Sequence, residues 1–267
     1  MRQKLGQHFL KDKNAIGKIV EALELKDLDT VIEVGAGHGE LTEKLKIKNQ
    51  RLKIVAIEKD LELGDRLKVL GFSEEGGDLK IVIGDVLKVL EPITYNLKPK
   101  TWKLVGNIPY YITGYLLRII SELENKPELT VLTIQKEVAE RMVARPPRMN
   151  RLAASVQFWA EPEIVARVPK TSFAPAPEVE SAVIKLKNKN EKIKIKDEDY
   201  YKTVKVLFQQ PRKTILNNLV ADLHADPTRG FTSKEEIGEK LKSISVDPNS
   251  RPQDLRVEDI IKLAEIR

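Results

Sequence analysis

The segment Asn107-Ile-Pro-Tyr110 carries the sharpest chemistry in the chain. The amino group of an adenine is a poor nucleophile because its lone pair is delocalised into the ring. Two acceptors aimed at its hydrogens, the Asn107 side-chain oxygen and the Ile108 carbonyl, would favour tetrahedral geometry and free that lone pair. Pro109 fixes the turn that aims the carbonyl. Tyr110 offers an aromatic face on which an extruded base could stack. A plain turn with a packed tyrosine is the structural alternative. The functional reading makes Asn107, Ile108, Pro109 and Tyr110 catalytic residues acting on adenine N6.

A second group of residues suits the other reactant. Val31-Ile-Glu-Val-Gly-Ala-Gly-His-Gly-Glu40 runs from a hydrophobic strand through a glycine turn into a helix. Gly35, Gly37 and Gly39 let the backbone turn tightly and approach a ligand closely. The dinucleotide fingerprint needs a small residue at 40, but Glu40 stands there and the third glycine comes one place early. A pyrophosphate would meet a carboxylate, which argues against a dehydrogenase. Glu33 at the strand end also suits a cationic ligand. Glu58 lies 19 residues past Gly39, where a carboxylate can accept both hydroxyls of a ribose. Asp85, after the next strand, can accept from an adenine amino group. Any one of these groups alone reads as an ordinary turn or helix cap. Three strand ends in order predict a site for an adenosyl ligand with a cationic end.

The elements that must position these residues alternate β-branched runs with amphipathic stretches, as a mostly parallel sheet with crossover helices requires. Strands are predicted at Thr30–Val34, Lys53–Ile57, Lys80–Ile83, Lys103–Gly106 and Thr130–Gln135. Helices are predicted at Asn14–Leu25, Glu40–Leu45 and Thr113–Glu122. Two later runs, Glu163–Val168 and Ser181–Lys187, flank the proline-rich segment Pro169–Pro177 and read as antiparallel strands completing a seven-stranded sheet. A charged stretch after Lys187 marks a domain junction. Residues 1–187 then form the catalytic domain and 188–267 a small helical domain, with helices at Tyr200–Val220, Lys234–Ser243 and Val257–Ile266.

Composition bounds the rest. The chain has 267 residues, 41% hydrophobic and 32% charged, with a net charge of +6. These proportions belong to a globular chain with an anionic partner in reach. Residues 188–267 hold 16 Lys or Arg against 14 Asp or Glu, so neither part is a basic tail. Cysteine is absent, which removes disulfides, thiolate zinc sites and cysteine nucleophiles. It also removes C5-pyrimidine methylation by thiolate attack, whereas N-methylation needs no covalent intermediate. No metal is called for. The basic N-terminus lacks the apolar core of a signal peptide, and no apolar run reaches membrane-spanning length. A cytoplasmic protein without a membrane partner is expected.

On these motifs the sequence resembles the ribosomal RNA adenine N6,N6-dimethyltransferases that act on small-subunit RNA. The resemblance covers nearly the whole chain. It takes in Leu5-Gly-Gln-His-Phe-Leu10, the glycine loop, Glu58, Gly84-Asp85, Asn107-Ile-Pro-Tyr110 and Gln135-Lys-Glu-Val-Ala139. Further on, it takes in the Phe173 to Ser181 segment, Phe208 to Thr214 and Ile244 to Pro248. It implies a Rossmann-like class I methyltransferase sheet, S-adenosylmethionine as cofactor, and dimethylation of two adjacent adenosines in a loop near the 3′ end of 16S-type RNA. The substrate would be presented within a pre-assembled small ribosomal subunit, to a monomeric enzyme. Cofactor contacts are implied for His8, Leu10, Gly35, Glu58, Asp85 and Asn107, beside Gly37 of the loop. Phe173 is implied to line the target-base pocket, while His38 and His224 match nothing and are taken as solvated. Two departures stand out. Tyr111 replaces a common Asn, and Pro211-Arg212 replaces paired arginines.

Arg141, Arg145, Arg148 and Arg151 follow the fifth strand closely enough to present guanidinium groups to one side, although a solvated face is the plain reading. Arg212 and Lys213 add a second basic point, so that a cleft between the domains could hold structured RNA. Two alternatives share parts of this pattern: a large-subunit RNA dimethyltransferase of the antibiotic-resistance type, and an RNA-binding ribosome-assembly factor with incidental catalysis.

Overall fold

Thr30 to Val34 is buried at every position. A strand with no polar face belongs in the middle of a sheet covered on both sides. In the computed structural model, which describes residues 7–49, 51–69, 78–97, 101–190, 195–225, 231 and 233–266, that place is taken by β2 (Thr30–Val34). The short β1 (Phe9–Leu10) precedes it, and β3 (Lys53–Glu58), β4 (Leu79–Ile83), β5 (Trp102–Asn107) and β6 (Leu129–Gln135) follow. The remaining strands are β7 (Ala160–Val168), β8 (Phe173–Ala174) and β9 (Ser181–Asn188). Seven of these form one sheet in the order β4-β3-β2-β5-β6-β9-β7. Its first five members are parallel, and β9 and β7 are antiparallel to their neighbours. The predicted strands and their order of use are therefore present, each within a few residues of its expected bounds. Leu5 and Gly6 of the N-terminal motif lie outside the described residues.

Helix α1 (Lys13–Ala22) precedes β2, and the crossovers are α2 (Glu40–Lys48), α3 (Leu61–Leu67), α4 (Val86–Tyr95) and α5 (Thr113–Glu122). The chain winds outward from β2 through β3 to β4, then returns to the other side of β2 as β5 and β6. The connections after β2 and β5 thus diverge, and open parallel sheets bind ligands in the crevice at such a switch point. Backbone crowding there is severe. A Cβ on Gly106 would stand 2.5 Å from the Val34 carbonyl oxygen, and Gly106 is the register partner of Val34.

The chain divides into two compact units, one of residues 1–140 with 160–188 and one of residues 141–159 with 189–267. This differs from a single cut after Lys187. Beyond α6 (Lys136–Met142), the segment carrying α7 (Arg151–Gln157) belongs to the second unit, because its apolar face has its partners there. Phe158 stacks on Tyr200 with ring centroids 3.8 Å apart. The Tyr200 hydroxyl donates to the Ala154 carbonyl at 3.0 Å, and burial pushes that phenol above its ordinary range. The second unit also holds α8 (Asp197–Leu207), α9 (Ile215–Ala225), α10 (Lys234–Ser243) and α11 (Val257–Glu265).

The single helix predicted over Tyr200–Val220 is two helices. Pro211 has no N–H to donate and disfavours helical backbone in the residue before it. The turn is closed by Asn218, whose side chain accepts from the Gln210 N–H at 3.2 Å and donates to the Thr214 carbonyl at 3.0 Å. Among the described residues no helix is long and apolar enough to cross a membrane.

Gly106 and Gly17 provide a matched test of this packing. Gly106→Ala forces β2 and β5 apart and is expected to cost about 1–3 kcal/mol or more in urea unfolding. Gly17, inside α1, has nothing within 4 Å of an added Cβ, so Gly17→Ala should stabilise by roughly 0.5–1 kcal/mol. Equal effects of the two substitutions would show that the β2–β5 contact is not tight.

Candidate active site

The glycine turn after β2 is left-handed at Gly35, Gly37 and Gly39, with φ of 72°, 58° and 93°. Side chains rarely adopt such backbone. The turn is held from beneath by Glu58 at the end of β3. One Glu58 carboxylate oxygen accepts from the Gly37 N–H at 2.8 Å and the other from the Asp60 N–H at 2.8 Å. Glu58 is 4% exposed. Its carboxylate is thus part of the loop as well as part of the cleft wall.

Asp85 caps α4, accepting from the Leu87 N–H at 3.1 Å, so the ordinary reading of an acid after a strand also applies. Its other oxygen pairs with Lys59 at 2.8 Å. The hydrogen bond from Lys59 lowers the Asp85 carboxyl below its usual range and raises the lysine. Lys59 carries a signal that sequence reading missed: it directly follows Glu58, at the same strand end.

The N-terminal arm closes the other side. β1 pairs antiparallel with β8, with Leu10 opposite Phe173. The Lys11 N–H donates to the Ser172 carbonyl at 2.8 Å, and the Ser172 hydroxyl donates to Asp12 at 2.8 Å. This lays Phe9 over the glycine turn, 3.1 Å from where a Gly37 Cβ would stand. Exposed His38 packs on the Phe9 ring at 4.3 Å between centroids, so it is a cover for the arm as well as a solvated residue. The Asn107 side-chain N–H donates to the His8 carbonyl at 2.8 Å, while the His8 Nδ1 meets the Pro175 carbonyl at 2.9 Å. Tyr110 lies half-buried beside the His8 ring, centroids 6.0 Å apart at 26°. Its hydroxyl meets the Ser181 Oγ at 2.7 Å, and burial raises its phenol above the ordinary range.

These residues surround one cleft of about 930 Å³ including its open mouth. His8, Gly35, Gly37, Glu58, Asp85 and the whole of Asn107 to Tyr110 line it, joined by Phe9, Lys59 and the exposed Tyr111. Leu10 does not reach this cleft. It is 5% exposed and lines a smaller adjoining cavity shared with Gly35 and Asn107. Phe173 is also 5% exposed and packs in the core. Its backbone pairs with β1 opposite Leu10, and its side chain is not among those lining this cleft. Arg141, Arg145, Arg148, Arg151, Arg212 and Lys213 are exposed, and all six fall in the second unit. The two basic clusters, expected on different domains, share one.

Glu33 departs from expectation. It is 1% exposed, accepts from the Thr42 hydroxyl at 2.6 Å and is pushed up to about 8, chiefly by burial, with Glu58 and Glu40 adding to the rise against the Thr42 bond. It faces the small cavity behind the turn rather than the main cleft, so near pH 7 it carries a proton, not a charge for a cationic ligand.

A mostly parallel sheet with its cleft at the switch point, a left-handed glycine turn and an acid at each of the next two strand ends define a class I methyltransferase. The relatives narrow the class. The model of the ribosomal RNA adenine dimethylase family matches residues 1–262, and the chain belongs to that family. The protein named ribosomal RNA small subunit methyltransferase A from Dehalococcoides mccartyi is 38% identical over 97% of this chain and 85% of its own length. The protein of the same name from Geobacillus sp. is 36% identical over 98% of this chain and 90% of its own. The crystal structure of a dimethyladenosine transferase from Plasmodium falciparum superposes with a TM-score of 0.79 at 27% identity, covering 96% of both chains.

The buried acid sets a pH dependence. Folded Glu33 keeps a proton that the unfolded chain releases near 4.5. Its contribution to stability therefore falls as pH rises from about 4.5 to about 8 and is level above that. Glu33→Gln keeps the shape without the ionisation, so its stability relative to wild type should climb across that window. Parallel urea-unfolding profiles for the two proteins at about pH 5 and about pH 8 would show that Glu33 does not hold this proton.

Proposed function

We propose that this protein uses S-adenosylmethionine to dimethylate N6 of two adjacent adenosines in a loop near the 3′ end of small-subunit ribosomal RNA. The names of the relatives support the small subunit as substrate. The observation that carries the chemistry is the Asn107 hydrogen bond to the His8 carbonyl. With the amide N–H committed to the arm, the Asn107 oxygen is left as an acceptor on a fixed side chain at the end of β5.

The cleft fits the cofactor on its own terms. The turn at Gly35 and Gly37 presents backbone without side chains, Glu58 keeps acceptor capacity beyond its two backbone bonds, and Asp85 keeps its own beyond α4 and Lys59. Bound there, S-adenosylmethionine supplies an electrophilic methyl group on sulfur. The chain does the rest by placement. The Asn107 oxygen and the Ile108 carbonyl accept from the N6 hydrogens and localise the nitrogen lone pair, Pro109 holds the turn, and Tyr110 stacks on the flipped base. Flipping costs least where the adenosines are already unpaired, which suits a loop. His8, Gly37 and, from the adjoining cavity, Leu10 complete the cofactor surround. Glu58, Asp85, Asn107 and Tyr110, assembled in one cleft, weigh against a purely structural assembly factor. Arg141, Arg145, Arg148, Arg212 and Lys213 grip phosphates from the second unit, for a monomeric, cytoplasmic enzyme acting on a pre-assembled subunit.

Two measurements test this. Undermethylated small subunits incubated with labelled methyl donor should yield N6,N6-dimethyladenosine on nucleoside analysis. With both substrates saturating, Asn107→Ala should lower turnover by roughly a hundredfold or more while subunit affinity changes little. Near wild-type turnover would remove Asn107 from the mechanism. Separately, Arg145→Ala with Arg148→Ala should flatten the salt dependence of RNA binding by roughly 0.7–0.9 in logarithmic slope per lost contact. An unaltered slope would assign both arginines to a solvated face.

A further inference from the structure

Ser181 opens β9 between β6 and β7, with Gln135 and Val168 as its register partners. It is 0% exposed. A serine hydroxyl in that position must find a partner within the protein, and the partner is the Tyr110 hydroxyl, at 2.7 Å. The two residues differ in how firmly they are held. Ser181 is fixed by strands on both sides, and the next residue back, Glu180, accepts from the Lys136 N–H at 3.0 Å and pairs with its ammonium at 2.8 Å. Tyr110 begins the short turn Tyr110–Ile112 beyond the end of β5, on the open side of the cleft.

We infer that Ser181 is a positioning residue for methyl transfer, tethering the Tyr110 hydroxyl so that the ring stands ready as a stacking face before the base arrives. The inference rests on the stacking role proposed for Tyr110 and assigns a cause for the ring's orientation. His8 lies along one face of the ring, and the tether holds the far end of the same ring. With two of its approaches fixed, the ring loses less conformational freedom when a base stacks on the remaining face. The hydroxyl serves as an anchor in the sheet and takes no part in the chemistry at N6.

Because base capture follows docking of the RNA, loss of the tether should appear in turnover and not in docking. The test is a double-mutant cycle of Ser181→Ala and Tyr110→Phe, assayed on undermethylated small subunits with saturating donor. Each single variant is expected to lose roughly fivefold in kcat, the equivalent of one neutral hydrogen bond. KM for the subunit and affinity for S-adenosylmethionine should stay at wild-type values. The double variant should be no slower than either single variant, since both remove the same bond. Tyr110→Ala should be far slower than all three, because it removes the ring.

Multiplicative losses in the double variant, or a wild-type kcat for Ser181→Ala, would overturn the tether. So would a fall in cofactor affinity with Ser181→Ala, which would mark a general disturbance of the sheet. A wild-type enzyme that makes no N6,N6-dimethyladenosine would overturn the tether and the proposed function together. Dimethylation by wild type with multiplicative variants would overturn the tether alone.

Discussion

The hydrogen bond from the Asn107 amide to the His8 carbonyl joins positions 99 residues apart, and the rest of the cleft is arranged around it. It fixes the Asn107 side chain at the end of β5, and it pins the arm that lies over the glycine turn. The arm itself is a weak element, two residues of strand paired with two others. It persists because each neighbour contributes a bond: Ser172 to Lys11 and Asp12, Pro175 to His8, and Phe9 to the turn. A loosened arm would therefore release the Asn107 amide to rotate, so the arm and the end of β5 are one cooperative unit.

Three acids near the turn show how location divides similar groups. Glu33 and Glu58 sit at the ends of adjacent strands and both are buried. Glu58 has two backbone N–H donors, from Gly37 and Asp60, in place of water. Glu33 is bonded by Thr42, through its hydroxyl at 2.6 Å and its backbone, and burial still prevails. Asp85 is the more exposed and is held charged by Lys59. The Asp85–Lys59 pair thus lies in the wall of the cleft, while Glu33 behind the turn keeps its proton.

Much of this was legible in the sequence. The strands could be read because apolar β-branched runs buried on both faces have no other use, and the cleft residues could be read because their types recur at successive strand ends. The arm could not. His8 to Leu10 has no periodicity, and its pairing with Phe173 and Ala174 is a contact across the chain that no local pattern encodes. The helix expected over Tyr200–Val220 had the right periodicity on both sides of Pro211, and periodicity does not register a break that preserves it. The strand position of Glu33 is visible in the sequence, but the depth of its burial is not.

The excursion of residues 141–159 bears on how such enzymes can be recombined. The chain passes from the first unit to the second, back, and across again, near residues 140, 160 and 188. Phe158 carries the stacking partner of Tyr200, so the helical unit is not a cassette attached at a single joint. A chimaera that exchanges only the portion after Asn188 would inherit one relative's α7 beneath another relative's α8, with mismatched aromatic surfaces. Transplanting the unit intact requires two grafts, both taken from the same parent.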